Sequence, residues 1–309
     1  MSSELRVIGA EEIRARLPMA AAVDALEEAF RTYEPGSGPL RTHVETPAGT
    51  LLLMPASGED GIGVKLVTLT PANPDRGLPF IHASYVLFDA ETQAPEAALD
   101  GSALTAIRTA AVSGLATRSL SREDAHRLVL FGAGVQATSH LESMCAVRPV
   151  TDLVVVSRSP GAAEALVADG LGRGLAARVG EPSAVGDADL ICTCTTAEAP
   201  LFDGSTLAPG AHVNAVGSYR PETRELDTET VRRARVVVET REVALAEAGD
   251  LLLPIEEGVI DAGHIVADLA ETVRGAEVRR SPADVTLFKS VGMAFEDLVV
   301  ARAVVDAVR

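Results

Sequence analysis

Arg127-Leu128-Val129-Leu130-Phe131-Gly132-Ala133-Gly134-Val135-Gln136-Ala137 is the stretch from which the fold of this chain is read. A short apolar run enters Gly-x-Gly-x-x-Ala, and a helical pattern follows to about Arg148. In such a strand–turn–helix unit Gly132 permits the tight turn and Gly134 lets the backbone approach a pyrophosphate. Ala137 is the small residue that close helix–sheet packing requires. The helix start at Val135 and Gln136 offers N–H groups and the positive end of a dipole to phosphates. Glycines are common in turns, so the motif takes its weight from its surroundings.

Those surroundings repeat one pattern. LVVVS (153–157), a helical PGAAEALVADGL (160–171), ADLICTC (188–194) and HVNAV (212–216) follow in order. Apolar strands alternating with helices are the signature of a parallel, doubly wound sheet. A dinucleotide is therefore the expected ligand. About twenty residues past the loop, an NAD site usually offers an acid to the ribose 2'-hydroxyl. Here the second strand ends Val156-Ser157-Arg158-Ser159, with no acid. Arg158 could meet a 2'-phosphate with its planar fork, and Ser157 or Ser159 could hydrogen-bond it. This favours NADP(H), with NAD(H) left open. Thr193, Thr195 and Thr196 follow one strand and Gly217-Ser218 another, at the carboxyl ends where such sheets bind ligands.

The front of the chain has a different texture. Residues 19–33 repeat apolar positions at helical spacing. After a break at PGSGPL, strands are expected over Arg41–Val44, Thr50–Met54, Gly63–Leu69 and Ile81–Phe88, separated by GSG, SGEDG and ANPDRG turns. The turn LDGS precedes an Ala-rich helix over Ala103–Leu120, and a last helix spans about 295–308. The expected fold is α/β: a Rossmann-type doubly wound parallel sheet over 121–289, and an α+β substrate-binding and dimerisation domain over 1–120 with 290–309.

Length and composition agree. A chain of 309 residues exceeds one typical core. Its net charge of -17, from 44 acids and 27 bases, argues against nucleic acid and anionic membranes. An anionic ligand must then meet a few local cations. The N-terminal MSSELRVIGAEEIRARL lacks the apolar core of a signal peptide, so a cytoplasmic protein is expected. No apolar run reaches the roughly 18 residues of a spanning helix. Cys192 and Cys194 should share one face of a buried strand, and with Cys145 they show no zinc spacing. No metal is expected.

Several segments together resemble the ornithine cyclodeaminase/mu-crystallin family: LLLMPAS (51–57), GVKLVTLTPANPDRGLP (63–79), DGSALTAIRTAA (100–111), GAGVQA (132–137), NAVGSYRPETRELD (214–227) and TLFKSVGMAFEDL (286–298). The resemblance spans the chain in order and spacing. It implies a two-domain homodimer and a small-molecule imine or amino-acid substrate. Arg41 and Arg108 match the family's carboxylate-binding arginines, which would fix the adjacent carbon against a nicotinamide. Lys65 matches its active-site lysine. Beside two arginines and partly buried, that ammonium should titrate low. The family's activities include ornithine and lysine cyclodeaminases, alanine dehydrogenase and cyclic ketimine reductases.

Two departures choose among these. Phe80 stands where the cyclodeaminases carry Thr, and Tyr219 where they carry the Asp that handles the proton. Tyrosine, with an ordinary pKa of about 10, is no base near neutrality. Both residues should also make the pocket less polar. The expectation is an NAD(P)H-dependent reductase of a C=N bond beside a carboxylate. A cyclodeaminase or amino-acid dehydrogenase is the alternative, and a non-catalytic NADPH-loaded binding protein a further one.

Overall fold

The computed structural model describes residues 5–36, 41–58 and 61–308; the PGSGPL and SGEDG segments lie partly outside them. In chain order the first elements are β1 (Arg6–Ile8), α1 (Ala10–Arg16), α2 (Met19–Thr32), β2 (Thr42–Thr46), β3 (Gly49–Gly58), β4 (Gly61–Leu69), β5 (Ile81–Phe88), β6 (Pro95–Asp100) and α3 (Gly101–Leu120). There follow β7 (Arg127–Phe131), α4 (Val135–Val147), β8 (Asp152–Val156), α5 (Pro160–Gly172), β9 (Ala176–Val179), β10 (Leu190–Thr193) and β11 (His212–Ala215). The last are α6 (Thr228–Arg233), β12 (Ala234–Val238), α7 (Arg241–Glu247), α8 (Gly249–Glu256), β13 (Ile265–Asp268), α9 (Leu269–Val273), β14 (Val285–Lys289) and α10 (Ala294–Val308).

The chain divides into two compact units. Unit 1 takes Met1–Ala29, Glu34–Arg108 and Gly292–Arg309; unit 2 takes Phe30–Tyr33 and Thr109–Val291. The main division falls inside α3, where the sequence reading had set it at the helix end.

Unit 1 holds a six-stranded sheet in the order β1-β6-β5-β4-β3-β2, antiparallel from β6 to β2, with β1 parallel to β6. Alternation explains its faces. Along β4 the residues Gly61, Gly63, Lys65, Val67 and Leu69 are buried while their neighbours are not. Leu52, Met54, Val67 and Leu69 form a core with Phe80, Ala83 and Ala294 packed against it. The expected strand at Arg41–Val44 lies one residue later, leaving Arg41 just outside β2. The LDGS turn is the end of β6 and the start of α3, where Asp100 caps the helix by accepting the Ala103 N–H at 2.8 Å.

Unit 2 is an eight-stranded, wholly parallel sheet in the order β13-β12-β14-β11-β10-β7-β8-β9. The chain runs outward from β7 to β9, then returns to β10 on the other side of β7. That reversal is the switch point at which such sheets bind ligands. Leu128 and Leu130 of β7 join one core, and Val129 and Phe131 the core on the opposite face. Burial on both faces makes these strands continuous apolar runs. Cys192 and Cys194 pack into the same cluster, as their spacing implies. The carbonyls ending α3 are taken by side chains: Arg148 donates to Thr117 O at 3.0 Å and Arg118 O at 2.7 Å, and Arg279 to Leu120 O at 2.8 Å.

Among the described residues no helix is long and apolar enough to cross a membrane, and no group of three His, Cys, Asp or Glu could hold a metal.

Candidate active site

In unit 2 the predicted loop sits at the switch point. Gly132 has φ +99°, and a Cβ there would lie 2.5 Å from the Cys194 carbonyl oxygen, so turn and close approach both demand glycine. Gly134 is the N-cap of α4 in extended conformation, with no side-chain cap, and a Cβ on it would meet nothing within 4 Å among the described residues beyond its own chain neighbours. No packing contact among the described residues calls for its smallness. Val135 is 64% exposed, and the first N–H groups of α4 are a fitting cradle for a dinucleotide phosphate. Ala137 is fully buried. The loop is braced from behind by His140. Its Nδ1 donates to Gln136 O at 2.7 Å, so its Nε2 accepts from Ser113 Oγ at 2.9 Å. Burial drives the His140 pKa down to about 4, which keeps the ring neutral. After β8, Arg158 and Ser159 are exposed, and the Ser159 N–H donates to Ser157 Oγ at 3.2 Å.

The threonines and Gly217 converge on a residue that the sequence reading passed over, Glu225. Its Oε2 accepts from Thr193 Oγ1 and the Gly217 N–H, both at 2.7 Å. Its Oε1 accepts from the Thr195 N–H at 2.8 Å and Thr195 Oγ1 at 2.7 Å. Burial and the nearby Asp250 push its pKa up, while Lys289 and the threonines oppose them. Four donors on two oxygens are the surroundings of an ionised carboxylate. Asp250 in turn accepts from the Glu225 and Leu226 N–H groups at 2.8 and 2.9 Å and pairs with Lys289 Nζ at 2.8 Å. Lys289 also donates to Ser218 O at 2.5 Å. The ends of β10, β11 and β14 are thus tied together. Thr193, wholly buried, serves this scaffold, while Thr195 and Gly217 keep partial exposure. Tyr219 is half-buried, with the Arg220 guanidinium 5.7 Å from its ring centroid.

Unit 1 assembles the three predicted cations. Lys65 points inward from β4 and is only 1% exposed, more deeply set than its sequence suggested. Its Nζ pairs with Asp297 at 2.7 Å to Oδ2 and 2.8 Å to Oδ1. Arg108, on α3, meets Glu296 Oε2 through Nη1 at 2.8 Å and Asp297 Oδ1 through Nε at 3.2 Å. Arg41 donates to Gly292 O at 2.9 Å. Gly292 has φ +81°, and a Cβ there would collide with the Arg108 guanidinium. Burial, then Arg108 and Arg41, pull the Lys65 pKa down to about 8 against the pull of Asp297. Phe80 is half-buried on the apolar cluster of β3 and β4. Glu296 and Asp297 were missed by sequence reading. Their signal was two adjacent acids opening a helix whose first two turns are otherwise apolar, GMAFEDLVV.

The two glycines give separable tests. Gly132→Ala should lower both the thermal midpoint and NAD(P)H affinity, the latter at least about tenfold. Gly134→Ala should weaken cofactor binding while leaving the midpoint within a degree or two. Fluorescence titration with NAD(P)H beside thermal unfolding separates the two effects.

Known proteins resemble this chain over nearly its whole length. A Bacillus cereus Delta(1)-pyrroline-2-carboxylate reductase is 38% identical over 96% of this chain and 94% of its own. The Thermococcus litoralis Delta(1)-pyrroline-2-carboxylate reductase, solved with NADH and L-proline, superposes with a TM-score of 0.93 at 37% identity, covering 98% and 97% of the two chains. An archaeal alanine dehydrogenase dimer with bound NAD superposes with a TM-score of 0.92 at 31% identity, over 98% and 95%. The profile of the ornithine cyclodeaminase/mu-crystallin family matches residues 4–309, and the chain belongs to that family.

Proposed function

We propose that this protein is an NAD(P)H-dependent reductase of a C=N bond adjacent to a carboxylate, of the pyrroline- or piperideine-2-carboxylate type. The observation that carries the reading is Lys65, buried and paired with Asp297, with burial and the nearby arginines pulling its pKa down to about 8. A reductase of this kind needs cations for the carboxylate and a proton for the nitrogen. Arg41 and Arg108 hold the carboxylate, and Lys65 polarises or protonates the imine nitrogen. The cofactor, when bound, supplies hydride; unit 2 holds it through Gly132, Gly134, Val135, Gln136 and Ala137, with Thr195, Gly217 and Ser218 toward its nicotinamide end.

Tyr219 weighs against a cyclodeaminase, because the family's proton-handling Asp is missing there. Phe80 and Tyr219 suit an apolar or cyclic side chain rather than a second ammonium. The same family likeness and the apolar outward row of Val44, Leu51, Leu53 and Leu66 on β2–β4 support a homodimer formed through unit 1.

The proton donor must be charged. With a Lys65 pKa of about 8, kcat/KM for imine reduction should hold below that pH and fall as pH rises through it, as the ammonium is lost. Lys65→Met should remove turnover by at least about a hundredfold while sparing NAD(P)H binding; retained turnover would refute the role.

Ser157, Arg158 and Ser159, presented after β8 with no acid, favour NADP(H). Arg158→Ala should raise KM for NADPH at least about tenfold and leave KM for NADH nearly unchanged. Equal effects on both cofactors would remove the preference.

A further inference from the structure

Asp297 stands between the two cations to which the reductase reading gives different tasks. Both of its oxygens lie within 2.8 Å of Lys65 Nζ, and Oδ1 is also 3.2 Å from Arg108 Nε. Its side chain is wholly buried, and it sits in the first turn of α10, where the helix dipole favours a negative charge. Glu296, beside it, takes the other edge of the Arg108 guanidinium. The remaining groups around Lys65 are Arg41, near enough to act on its charge, and Tyr85, directly opposite in the β4–β5 ladder and also fully buried. Asp297 is the one anion in direct contact with the ammonium among the described residues.

We propose that Asp297 is the positioning residue for Lys65, aiming Nζ and keeping it charged, and that by sharing its carboxylate with Arg108 it couples substrate capture to proton delivery. The inference rests on the reductase reading. In reduction, hydride adds to the imine carbon, the C=N π pair moves to nitrogen, and that nitrogen takes the proton from Lys65. The cofactor is oxidised, and the lysine, left neutral, is reprotonated from solvent. A substrate carboxylate arriving at Arg108 draws the guanidinium away from Asp297. It also adds a second negative charge near Lys65. Both effects favour the ammonium, so the donor is charged most fully when an imine is in place. Without Asp297 the lysine would sit buried beside two arginines and shed its proton.

The chain contains only two lysines, Lys65 and Lys289, so lysine side-chain NMR with 15Nζ or 13Cε label reads each one directly. Lys289, buried against Asp250 in unit 2, reports that the fold persists. In Asp297→Asn the Lys65 titration midpoint should drop by about one pH unit or more. The loss of kcat/KM should be about fivefold or more at pH 8 and should shrink as pH is lowered, which a merely structural defect would not do. Asp297→Glu should restore the midpoint. A folded Asp297→Asn protein whose Lys65 titrates as in wild type overturns the proposal, as does Asp297→Glu behaving like Asp297→Asn.

If Asp297→Asn does not fold, wild type still decides the coupling. Pyrrole-2-carboxylate, a planar monocarboxylate, should raise the Lys65 midpoint, and an unmoved midpoint overturns the coupling. A wild-type protein that turns over no imine would refute the reductase reading, whereas the Lys65 titration judges Asp297 independently of turnover.

Discussion

Burying an ammonium ion in a protein costs on the order of several kcal/mol, and the cost is offset only where a carboxylate and further hydrogen bonds meet it. This chain buries both of its lysines and leaves its other 25 basic residues to arginine. Lys65 is met by Asp297 and Lys289 by Asp250. These pairs do not explain stability by themselves, since apolar replacements of such pairs are often neutral. What they do is fix positions. Each acid is held by a second partner: Asp297 by Arg108, Asp250 by the N–H groups of Glu225 and Leu226.

The two pairs serve different ends. In unit 2, Lys289 and Asp250 anchor the segment that carries Glu225, and Glu225 gathers Thr193, Thr195 and Gly217. The loops at the carboxyl ends of three parallel strands thereby become a rigid rim at the side of the sheet where a dinucleotide is expected. In unit 1 the charge itself is the product. Burial and two arginines bring the pKa of an ordinary lysine down to about 8, where it can exchange a proton in mildly alkaline water. The acidic surface of the chain makes that local positive cluster the feature an anionic substrate would find.

How much of this could be read beforehand follows from the range of each interaction. The parallel sheet was legible because strands buried on both faces are continuous apolar runs and the turn at Gly132 needs glycine. Lys65 was legible through the family likeness; locally the strand reads equally well with the lysine in solvent, and its full burial came only with the structure. Arg41 and Arg108 were legible only through the likeness, since nothing local marks them. Glu225, Asp250, Glu296 and Asp297 were not read, although three of them lie in quoted motifs. Their partners are 32, 39, 188 and 232 residues away in sequence, and pairing at that distance leaves no local period. Short elements such as β6, with PEAALD, were missed for a related reason: acids on its exposed side break the apolar pattern.

The central claim is that hydride is consumed rather than borrowed and returned. The most direct measurement offers cyclic and linear 2-imino carboxylates, each with NADPH and with NADH, and follows cofactor oxidation against amino acid formed. The account predicts one cofactor oxidised per cyclic imine reduced, faster with NADPH. Conversion of ornithine to proline with no net change in cofactor, and no oxidation with any imine, would contradict it.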